Sequence, residues 1–363
     1  MKRLLTLFLC LCTFVSFGVE HTKPGEKGET FNPGEVILHH VADSHEWHWF
    51  STDNGNFVTY LPIIAYQPSK GLSIFSSEKI AEDKTYGNFK LEEEKLATVD
   101  GSKVYDFSIT KNVAALAMSS LLLVIIFASV AKSYRQRAGQ APSGLQSLLE
   151  PFVIFIRDEV GKKSIGPKYE RYMPYLLTIF FFIWFNNLLG LTPGAANLTG
   201  NIAVTAMLAL LTLVVTLFSA NKNYWAHIFS PPGVPWPLYI IMVPVELVGV
   251  LVKPFSLMIR LFANITAGHI IILSFISLIF IFRSAATGFL AVPFGLFISM
   301  LELLVAVLQA YIFTLLTAMY IGSAVEEHHH EEAHGHGETL GTAEQRAGGS
   351  NLAHIGQPDV AAH

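Results

Sequence analysis

The segment 237–282 is a long apolar run that carries more charge than a passive membrane anchor tolerates. Five polar side chains interrupt it: Glu246, Lys253, Arg260, Asn264 and His269. An arginine near the centre of a bilayer costs at least roughly 2.5–3.5 kcal/mol, so its presence well inside the run requires a partner or a function. Because ionisable residues in such positions usually mark a route for ions, we expect an ion path here.

The length of this run allows two interpretations. At about 1.5 Å per residue it extends roughly 67 Å, about twice the hydrocarbon thickness of a bilayer. It is therefore either two spans or one strongly tilted helix, and its periodicity does not choose between them. The next apolar run, 289–324, is also overlong and contains Glu302 and Gln309. Two overlong helices that both carry polar residues indicate a pair.

The composition is typical of a polytopic membrane protein. The 363 residues are 52% hydrophobic and 14% charged, which argues against an ordinary soluble domain. Residues 1–18 have a basic start, an apolar centre and small residues near the end, as a cleaved signal peptide has, although a retained short anchor also fits. Both cysteines, Cys10 and Cys12, lie in this segment, so the cleaved chain would contain no disulfide.

Residues 19–108 are polar and predict a small, partly β domain that follows the signal out of the cytoplasm. The runs 57–66, 72–77 and 103–110 are rich in aromatic and β-branched residues, which is typical of short strands. The segment 35–50 looks helical. It contains several histidine and acidic residues, namely His39, His40, Asp43, His45, Glu46 and His48. Because their spacing differs from that of a zincin motif, we favour a solvated or interface helix over a metal site.

Charge placement predicts the orientation in the membrane. The first mature span, at about 110–131, is followed at once by Lys132, Arg135 and Arg137. By the positive-inside rule this end of the span is cytoplasmic. The N-terminal domain then lies outside. If 238–282 is one span, the C-terminus is cytoplasmic, whereas two spans there would export the tail. This arrangement implies a multi-pass protein of a bacterial inner membrane, with its N-terminus in the periplasm.

The membrane domain, 109–325, is predicted to be all-α, with about five spans if the long run is a single tilted helix. After the first span come an amphipathic surface helix at 144–172, spans at 174–191 and 202–220, and two long spans at 238–282 and 290–324. Asn186 and Asn187 are expected to hydrogen-bond within the bundle or to cap the turn, a structural role that we favour over ion binding. The tail 326–363 begins with a histidine-rich stretch and is predicted to be disordered, with weak metal binding or proton buffering left open.

The polar residues of the two long helices can be matched in depth. About 13.5 Å of helical rise separates Arg260 from His269, and about 10.5 Å separates Glu302 from Gln309. In an antiparallel pair, His269 then lies near Glu302, and Arg260 lies near the depth of Gln309. A carboxylate beside a histidine exchanges protons near working pH, whereas arginine keeps its charge. The pattern therefore predicts a proton path that contains a fixed positive charge.

Four strings of the sequence resemble one family. They are "SLMIRLFANITAGH" at 256–269, "LELLVAVLQAYIFTLLTAMYI" at 301–321, "FFIWFNNLLGLTP" at 181–193 and "VELVGVLVKPFSLMIR" at 245–260. They resemble subunit a of the F-type ATP synthases, the stator of the membrane proton motor, and the similarity covers most of the chain after about residue 110. The resemblance implies two long, tilted, antiparallel helices that follow the curvature of a rotor.

The resemblance also implies roles for individual residues. Arg260 matches the family's essential arginine, and His269 with Glu302 matches its coupled half-channel pair. The other polar positions fall on the family's channel lining and cytoplasmic-side charges: Asn264, Gln309, Glu246 and Lys253. The implied mechanism is proton uptake through an outer half-channel, protonation of a carboxylate on a rotating ring subunit, and release through an inner half-channel.

The partners that the resemblance implies are the c-ring, the peripheral-stalk subunit b, membrane lipid, and the proton as transported ion. We expect no nucleic acid, cofactor or metal, and no catalytic site in this chain itself. The main alternative is a secondary ion-coupled transporter with similar intramembrane charges. Such transporters often contain internal repeats, and we find none between the halves of this sequence. A purely structural scaffold would leave Arg260 unexplained.

Overall fold

The computed structural model describes most of the chain, namely residues 18–20, 43–52, 55–83, 85–92, 95–137, 139–192, 196–230, 235–282 and 285–326. Residues 1–17 of the predicted signal peptide and the tail from 327 lie outside this part, so both assignments stay predictions. The described residues form an N-terminal β region up to about residue 110 and a helical region after it.

Within the described residues the N-terminal region contains nine strands in three antiparallel sheets. They are β1 Gly18–Glu20, β2 Glu46–Thr52, β3 Gly55–Tyr60, β4 Pro62–Gln67, β5 Gly71–Ser76, β6 Thr85–Tyr86, β7 Phe89–Glu92, β8 Lys95–Thr98 and β9 Tyr105–Asp106, with helix α1 Glu78–Asp83 after β5. The strand orders are β1-β3-β2, β5-β4-β9 and β6-β7-β8. The predicted strands at 57–66 and 72–77 are confirmed, the first as β3 and β4 and the second as β5. In the predicted strand 103–110 only the two residues of β9 form a strand.

The helix predicted at 35–50 is wrong in its second half. Residues Glu46–Thr52 form β2, which pairs with β3. Trp47 and Trp49 are two residues apart in this strand, and their rings stack with centroids 4.5 Å apart. The alternation of aromatic and polar residues has the period of two that a strand requires, and burial of Trp47 within the β region favours the strand over a helix. Residues 35–42 lie outside the described part.

The β5-β4-β9 sheet has one buried face and one exposed face. β4 alternates between buried and more exposed residues along its length, as expected for a sheet covered on one side. Its inner face packs against α1 and the β6-β7-β8 sheet. The buried side chains of this core are Ile63, Ala65, Phe75, Ile80, Phe89 and Leu96.

Polar contacts join the β region to the first membrane helix, α2 Lys111–Gln136. The backbone N–H of Lys111 donates to the Ser44 carbonyl oxygen at 2.8 Å. The backbone N–H of Asn112 donates to Asp43 Oδ1 at 3.1 Å. These two contacts satisfy donors that the first turn of a helix leaves without partners, and they hold the β region at the start of α2.

A second contact near this junction joins His45 to Asp106. His45 Nε2 lies 2.9 Å from Asp106 Oδ2. Burial opposes the charged form of Asp106, but its hydrogen bonds with His45 and Ser108 outweigh burial and lower its pKa from 3.8 to about 2. Because the pKa of Asp106 is lowered in the folded state, the pair contributes fully to the free energy of unfolding above pH 3.8. This contribution is lost as the pH falls from 3.8 through about 2.

Five helices of the described part are long and apolar enough to cross a bilayer, as predicted. The helices after α2 are α3 Leu145–Phe155, α4 Lys162–Ile165, α5 Tyr169–Gly190, α6 Ile202–Ser219, α7 Lys222–Phe229, α8 Tyr239–Phe282 and α9 Ala285–Val325. A π-helical turn, Ile156–Gly161, joins α3 to α4. The predicted surface helix at 144–172 is therefore a series of short helical segments that leads into α5.

Helix α8 is continuous over 44 residues, so the two-span interpretation of this run is excluded. At 1.5 Å per residue it is about 66 Å long, roughly twice the hydrocarbon thickness, which requires a strongly tilted course. Helix α9 has 41 residues and returns antiparallel beside α8. The rings of Phe275 and Phe294 stack near the turn between them, with centroids 5.8 Å apart.

Helix α9 packs closely against its neighbours through a line of mostly small residues. Every fourth position along one face is buried: Glu302, Ala306, Ala310, Thr314, Ala318 and Gly322. Small side chains let helix backbones approach each other in a membrane. A Cβ on Gly322 would lie 1.9 Å from the carbonyl oxygen of Ser164 in α4. Only glycine permits this approach.

Gly322→Ala is expected to destabilise the folded subunit by about 1–3 kcal/mol, because the added methyl group must displace the Ser164 carbonyl group. Gly295→Ala is the matched control in the same helix, since a Cβ there meets nothing within 4 Å. Thermal unfolding of the detergent-solubilised protein measures both variants. Equal melting temperatures would contradict the close approach of α9 to α4.

Candidate functional site

The polar residues of α8 and α9 meet at two levels of the helix pair. Asn264 Nδ2 donates a hydrogen bond to Gln309 Oε1 at 2.8 Å. His269 Nε2 lies 3.7 Å from Glu302 Oε1. Because the sequence positions increase along α8 as they decrease along α9, both contacts belong to one antiparallel register. The structure thus brings together four of the six predicted site residues.

Arg260 lies one helical turn before Asn264 and is not the residue that bonds to Gln309. We expected Arg260 near the depth of Gln309, but Asn264 occupies that level. Arg260 is displaced from it by about 6 Å of helical rise. Its side chain is exposed in the isolated chain, and among the described residues no carboxylate forms an ion pair with its guanidinium group. The positive charge is therefore open to a group from outside the subunit.

The Glu302 carboxylate is buried, with only 5% of the residue exposed. Neither of its oxygens accepts a hydrogen bond from the described residues. A buried carboxylate without donors is strongly unfavourable in its charged form. The imidazole of His269, 3.7 Å away, is within reach of small side-chain movements that would form a hydrogen bond. The pair is therefore suited to holding and exchanging a proton.

Gly268 makes the approach of Glu302 to α8 feasible. A Cβ at this position would lie 2.7 Å from Glu302 Oε1 and 3.0 Å from its Cδ. Any larger residue would push the carboxyl group away from the helix that carries His269. Sequence reasoning did not select Gly268, although a glycine inside a helix next to a polar residue is a signal of close packing.

Hydrogen bonds tie α5 and a short turn, Leu198–Gly200, to the helix pair beside this site. Asn187 Nδ2 donates to the Ala306 carbonyl oxygen at 3.2 Å. Thr199 Oγ1 donates to Asn187 Oδ1 at 2.7 Å. Thr266 Oγ1 donates to the Gly200 carbonyl oxygen at 3.4 Å. These contacts place amide and hydroxyl groups next to the His269 and Glu302 levels.

The expected bundle role of the two asparagines is confirmed by their contacts. Asn187 bonds to α9 and to Thr199. Asn186 Nδ2 donates to the Phe182 carbonyl oxygen at 2.7 Å within α5. Thr199 and Thr266 were not selected from the sequence, because a threonine in a loop or an apolar helix has no distinctive spacing. Only the packing of the Leu198–Gly200 turn against α5 and α8 brings these groups together.

A second polar group of side chains lies at the other end of the helix pair. A cavity of about 10 Å³, enough for about one water molecule, lies between α6, α7, α8 and α9. Its hydroxyl groups come from Thr212, Thr216, Tyr224, Tyr320 and Ser323, and we call it the hydroxyl cavity. Lys253 also lines it, with Nζ 5.5 Å from the centre of the Tyr320 ring.

Glu246 is close enough to the hydroxyl cavity to influence it electrostatically. Burial, and secondly the negative charge of Glu246, raise the pKa of Tyr224 above its usual value of 10.0. Glu246 itself is partly buried, about two turns of α8 before Lys253. This end of the helix pair therefore combines a carboxylate, an ammonium group and several hydroxyl groups.

The histidines of the N-terminal region do not assemble a metal site in the described part of the chain. No group of three or more His, Cys, Asp and Glu side chains there is placed to hold a metal ion. His45 contacts Asp106, and His48 Nε2 lies 3.4 Å from Glu46 Oε2. His39 and His40 lie outside the described residues.

Comparison with known proteins shows similarity over nearly the whole chain. A family model described as "ATP synthase A chain" matches residues 114–322, and a model of a domain of unknown function matches residues 36–116. The chain is 50% identical over 239 residues to ATP synthase subunit a of Chloroherpeton thalassium, which covers 64% of this chain and 71% of that protein. It is 40% identical over 324 residues to ATP synthase subunit a of Chlorobium phaeobacteroides strain BS1, which covers 87% and 83%.

Gly268→Ala is expected to displace the Glu302 carboxyl group, because the added Cβ would lie 2.7 Å from Oε1. The infrared carboxyl band of Glu302, assigned through its loss in Glu302→Gln, should shift. Gly190→Ala is the control near the same site, since its Cβ would meet its nearest atom, Asn197 Oδ1, at an ordinary distance of 3.7 Å. An unchanged band in Gly268→Ala would contradict the close contact.

Proposed function

Because this chain belongs to the ATP synthase subunit a family, we propose that it forms two offset proton half-channels along the c-ring and couples proton flow to rotation and ATP synthesis. It is a multi-pass membrane protein with five helices suited to crossing a bilayer. The observation that supports the proposal best is the 3.7 Å approach of His269 to the buried Glu302. The same helix pair carries the exposed Arg260.

The His269 and Glu302 pair receives protons from the outer half-channel. An imidazole and a carboxylate at this distance titrate as a coupled pair, so that protonation of one changes the affinity of the other. The amide and hydroxyl groups of Asn187, Thr199 and Thr266 give the neighbourhood a polar lining. From this level the proton passes to a carboxylate on a ring subunit.

Arg260 is the fixed positive charge between the two half-channels. Its guanidinium group keeps its proton at any working pH. At an effective dielectric constant near 20, its attraction to a ring carboxylate about 4 Å away is about 4 kcal/mol. The exposed neighbours on α8 include the apolar Phe255 and Ile259, which suits a surface along which ring helices move. The attraction favours the deprotonated ring site and so promotes release.

The hydroxyl cavity, with Lys253 and Glu246, is the inner half-channel. Lys253 precedes Arg260 along α8 by about 10.5 Å of helical rise, and His269 follows Arg260 by about 13.5 Å. The two polar groups therefore lie on opposite sides of Arg260 along the helix axis. This offset means that a proton crosses the membrane only if a ring site carries it from one group to the other.

The inner half-channel faces the cytoplasm in this proposal. Lys132, Arg135 and Arg137 at the end of α2 assign that side by the positive-inside rule. With five spans, we propose that the N-terminal β region lies outside the cytoplasm and that the end of α9, beside the hydroxyl cavity, lies inside. The partners are the c-ring and peripheral-stalk subunit b in a bacterial inner membrane. In this proposal ATP chemistry takes place on other subunits, and the role of this chain is to conduct the coupling ion, for which we propose the proton.

Arg260→Ala is expected to abolish ATP synthesis and coupled proton pumping. Ring carboxylates would meet no fixed charge, so a site could pass a proton between half-channels without a completed rotation. The membrane potential drives this leak with about 2.3 kcal/mol per charge per 100 mV. Passive proton flux through assembled complexes stripped of their catalytic head measures the leak, and intact complexes measure synthesis.

Arg171→Ala is the matched control for this experiment, because Arg171 is an exposed arginine near the start of α5, outside the proposed path. It should retain synthesis and a low passive flux. Arg260→Lys should be a poor substitute, since a desolvated ammonium group loses its proton more readily than guanidinium. Normal synthesis by Arg260→Ala would overturn the proposed mechanism.

Single replacements His269→Ala and Glu302→Ala should each impair ATP-driven proton pumping. The double replacement should be little worse than the more severe single one, because the residues act as one unit, with a coupling of about 0.5–3 kcal/mol. A control cycle that combines His269→Ala with Arg171→Ala should be additive. Strict additivity for His269 and Glu302 would show that they do not act together.

A further inference from the structure

The outward face of the β5-β4-β9 sheet carries a contiguous set of large apolar side chains. We call it the aromatic face, and its residues are Ile64, Tyr66, Leu72, Ile74, Tyr105 and Phe107. All but Ile64 are between 42% and 66% exposed. Exposed apolar residues that occur singly need no explanation, but a contiguous patch marks a surface that contacts a partner.

Strand register arranges the aromatic face in two rows. Ile64 is paired with Ile74, and the backbone N–H of Phe107 donates to the Ile64 carbonyl oxygen at 2.9 Å. Tyr66 is paired with both Leu72 and Tyr105. Because strands rise about 3.3 Å per residue, the rows are about 7 Å apart. One row is wholly apolar and the other contains both tyrosines.

The wholly apolar row is held close to the membrane. Phe107 precedes the first residue of α2 by four positions, a reach of at most about 14 Å. The backbone N–H of Ile109 donates to the Pro62 carbonyl oxygen at 3.2 Å, so this end of the sheet is fixed beside α2. Tyr105, Phe107 and Ile109 alternate along the chain and are all exposed. They continue the exposed apolar surface of α2, which begins with Val113.

Charge is distributed unequally between the two sides of the sheet. The two rows contain no charged residue. On the other side, α1 and the β6-β7-β8 sheet cover the core and expose charged residues such as Glu78, Lys79 and Lys95. The β region is therefore amphipathic as a whole, with an apolar side next to the start of a membrane helix. Tyrosines are enriched at the depth of lipid headgroups, where the ring is partly buried and the hydroxyl group reaches water.

We propose that the aromatic face lies in the headgroup layer of the leaflet from which α2 begins, with phospholipid as the partner that covers it. Each headgroup layer is roughly 5–8 Å thick, which is close to the separation of the two rows. Ile74, Ile64 and Phe107 reach the acyl boundary, and Tyr66 and Tyr105 stay at headgroup depth. The β region thereby supports the start of α2 at the membrane surface. This inference does not depend on the proposed proton path.

The test uses the full chain in vesicles of phosphatidylethanolamine and phosphatidylglycerol. Cys10 and Cys12 are replaced by serine, and single cysteines are introduced by Leu72→Cys, Ile74→Cys or, as the control on the charged side, Lys95→Cys. Each cysteine carries an environment-sensitive fluorophore. Lipids with a doxyl group at carbon 5 should quench the label at 74 at least threefold more than the label at 95, and aqueous iodide should show the reverse.

Equal lipid quenching at 74 and 95 would overturn the proposal. Protection of position 74 from iodide without quenching by doxyl lipid would also overturn it, because a protein surface, such as a second copy or another subunit, would then cover the face. The labelled positions 72, 74 and 95 are all exposed, so the substitutions leave the core of the β region intact. Stronger lipid quenching at 74 than at 72 would support the proposed depths, in which the wholly apolar row lies deeper in the membrane than the row that contains the tyrosines.

Discussion

The structure depends on how two very long helices satisfy their polar side chains inside a low-dielectric membrane. Hydrogen bonds within a helix satisfy its backbone N–H and C=O groups. Its polar side chains need partners elsewhere, and here they are Asn264, His269, Glu302 and Gln309. These side chains meet across α8 and α9. A shift of one turn between the helices would separate both contacts at once. The need to pair polar groups therefore fixes the register of the helix pair, and with it the geometry of the site.

Close packing gives this register its rigidity. The small residues of α9 allow α5 and α4 to approach, and Asn187 uses that proximity to bond to the Ala306 carbonyl oxygen. Gly268 does the same for the Glu302 carboxyl group. In each case a small residue on one helix makes room for a polar contact from another. Small residues and polar contacts thus act together, as they do in many membrane bundles.

Arg260 and Glu302 differ in their surroundings. The Arg260 side chain is exposed, whereas the Glu302 carboxyl group is buried. Glu302 has a protein partner, His269, within the subunit. Arg260 is open on the surface of α8, where a buried partner must come from another chain. In the proposed function, the partner of this open charge is a carboxylate of the moving ring. The β region adds a second surface, the aromatic face, at the point where the membrane domain begins.

The sequence by itself determined the membrane class and pointed to the charged residues of the candidate site. Charges such as Arg260 and Glu302 stand out in apolar runs because their burial is so unfavourable that their presence demands a reason. Strands with clear alternation, such as β4, were also predictable. The helical interpretation of 46–50 failed because a short segment satisfies two periodicities, and only contact with the rest of a sheet selects one.

Tertiary structure alone decided whether 239–282 is one helix, which residue faces Gln309, and what surrounds Glu302. The sequence left the span count of the long run open, because hydropathy measures how apolar a segment is and not where it bends. Asn264 rather than Arg260 faces Gln309 because the register follows from packing over the whole pair. Gly268 and Thr199 carry no charge or motif, and their importance arises only from neighbours distant in sequence. Contacts of this kind depend on three-dimensional packing, which no local pattern of residue types encodes.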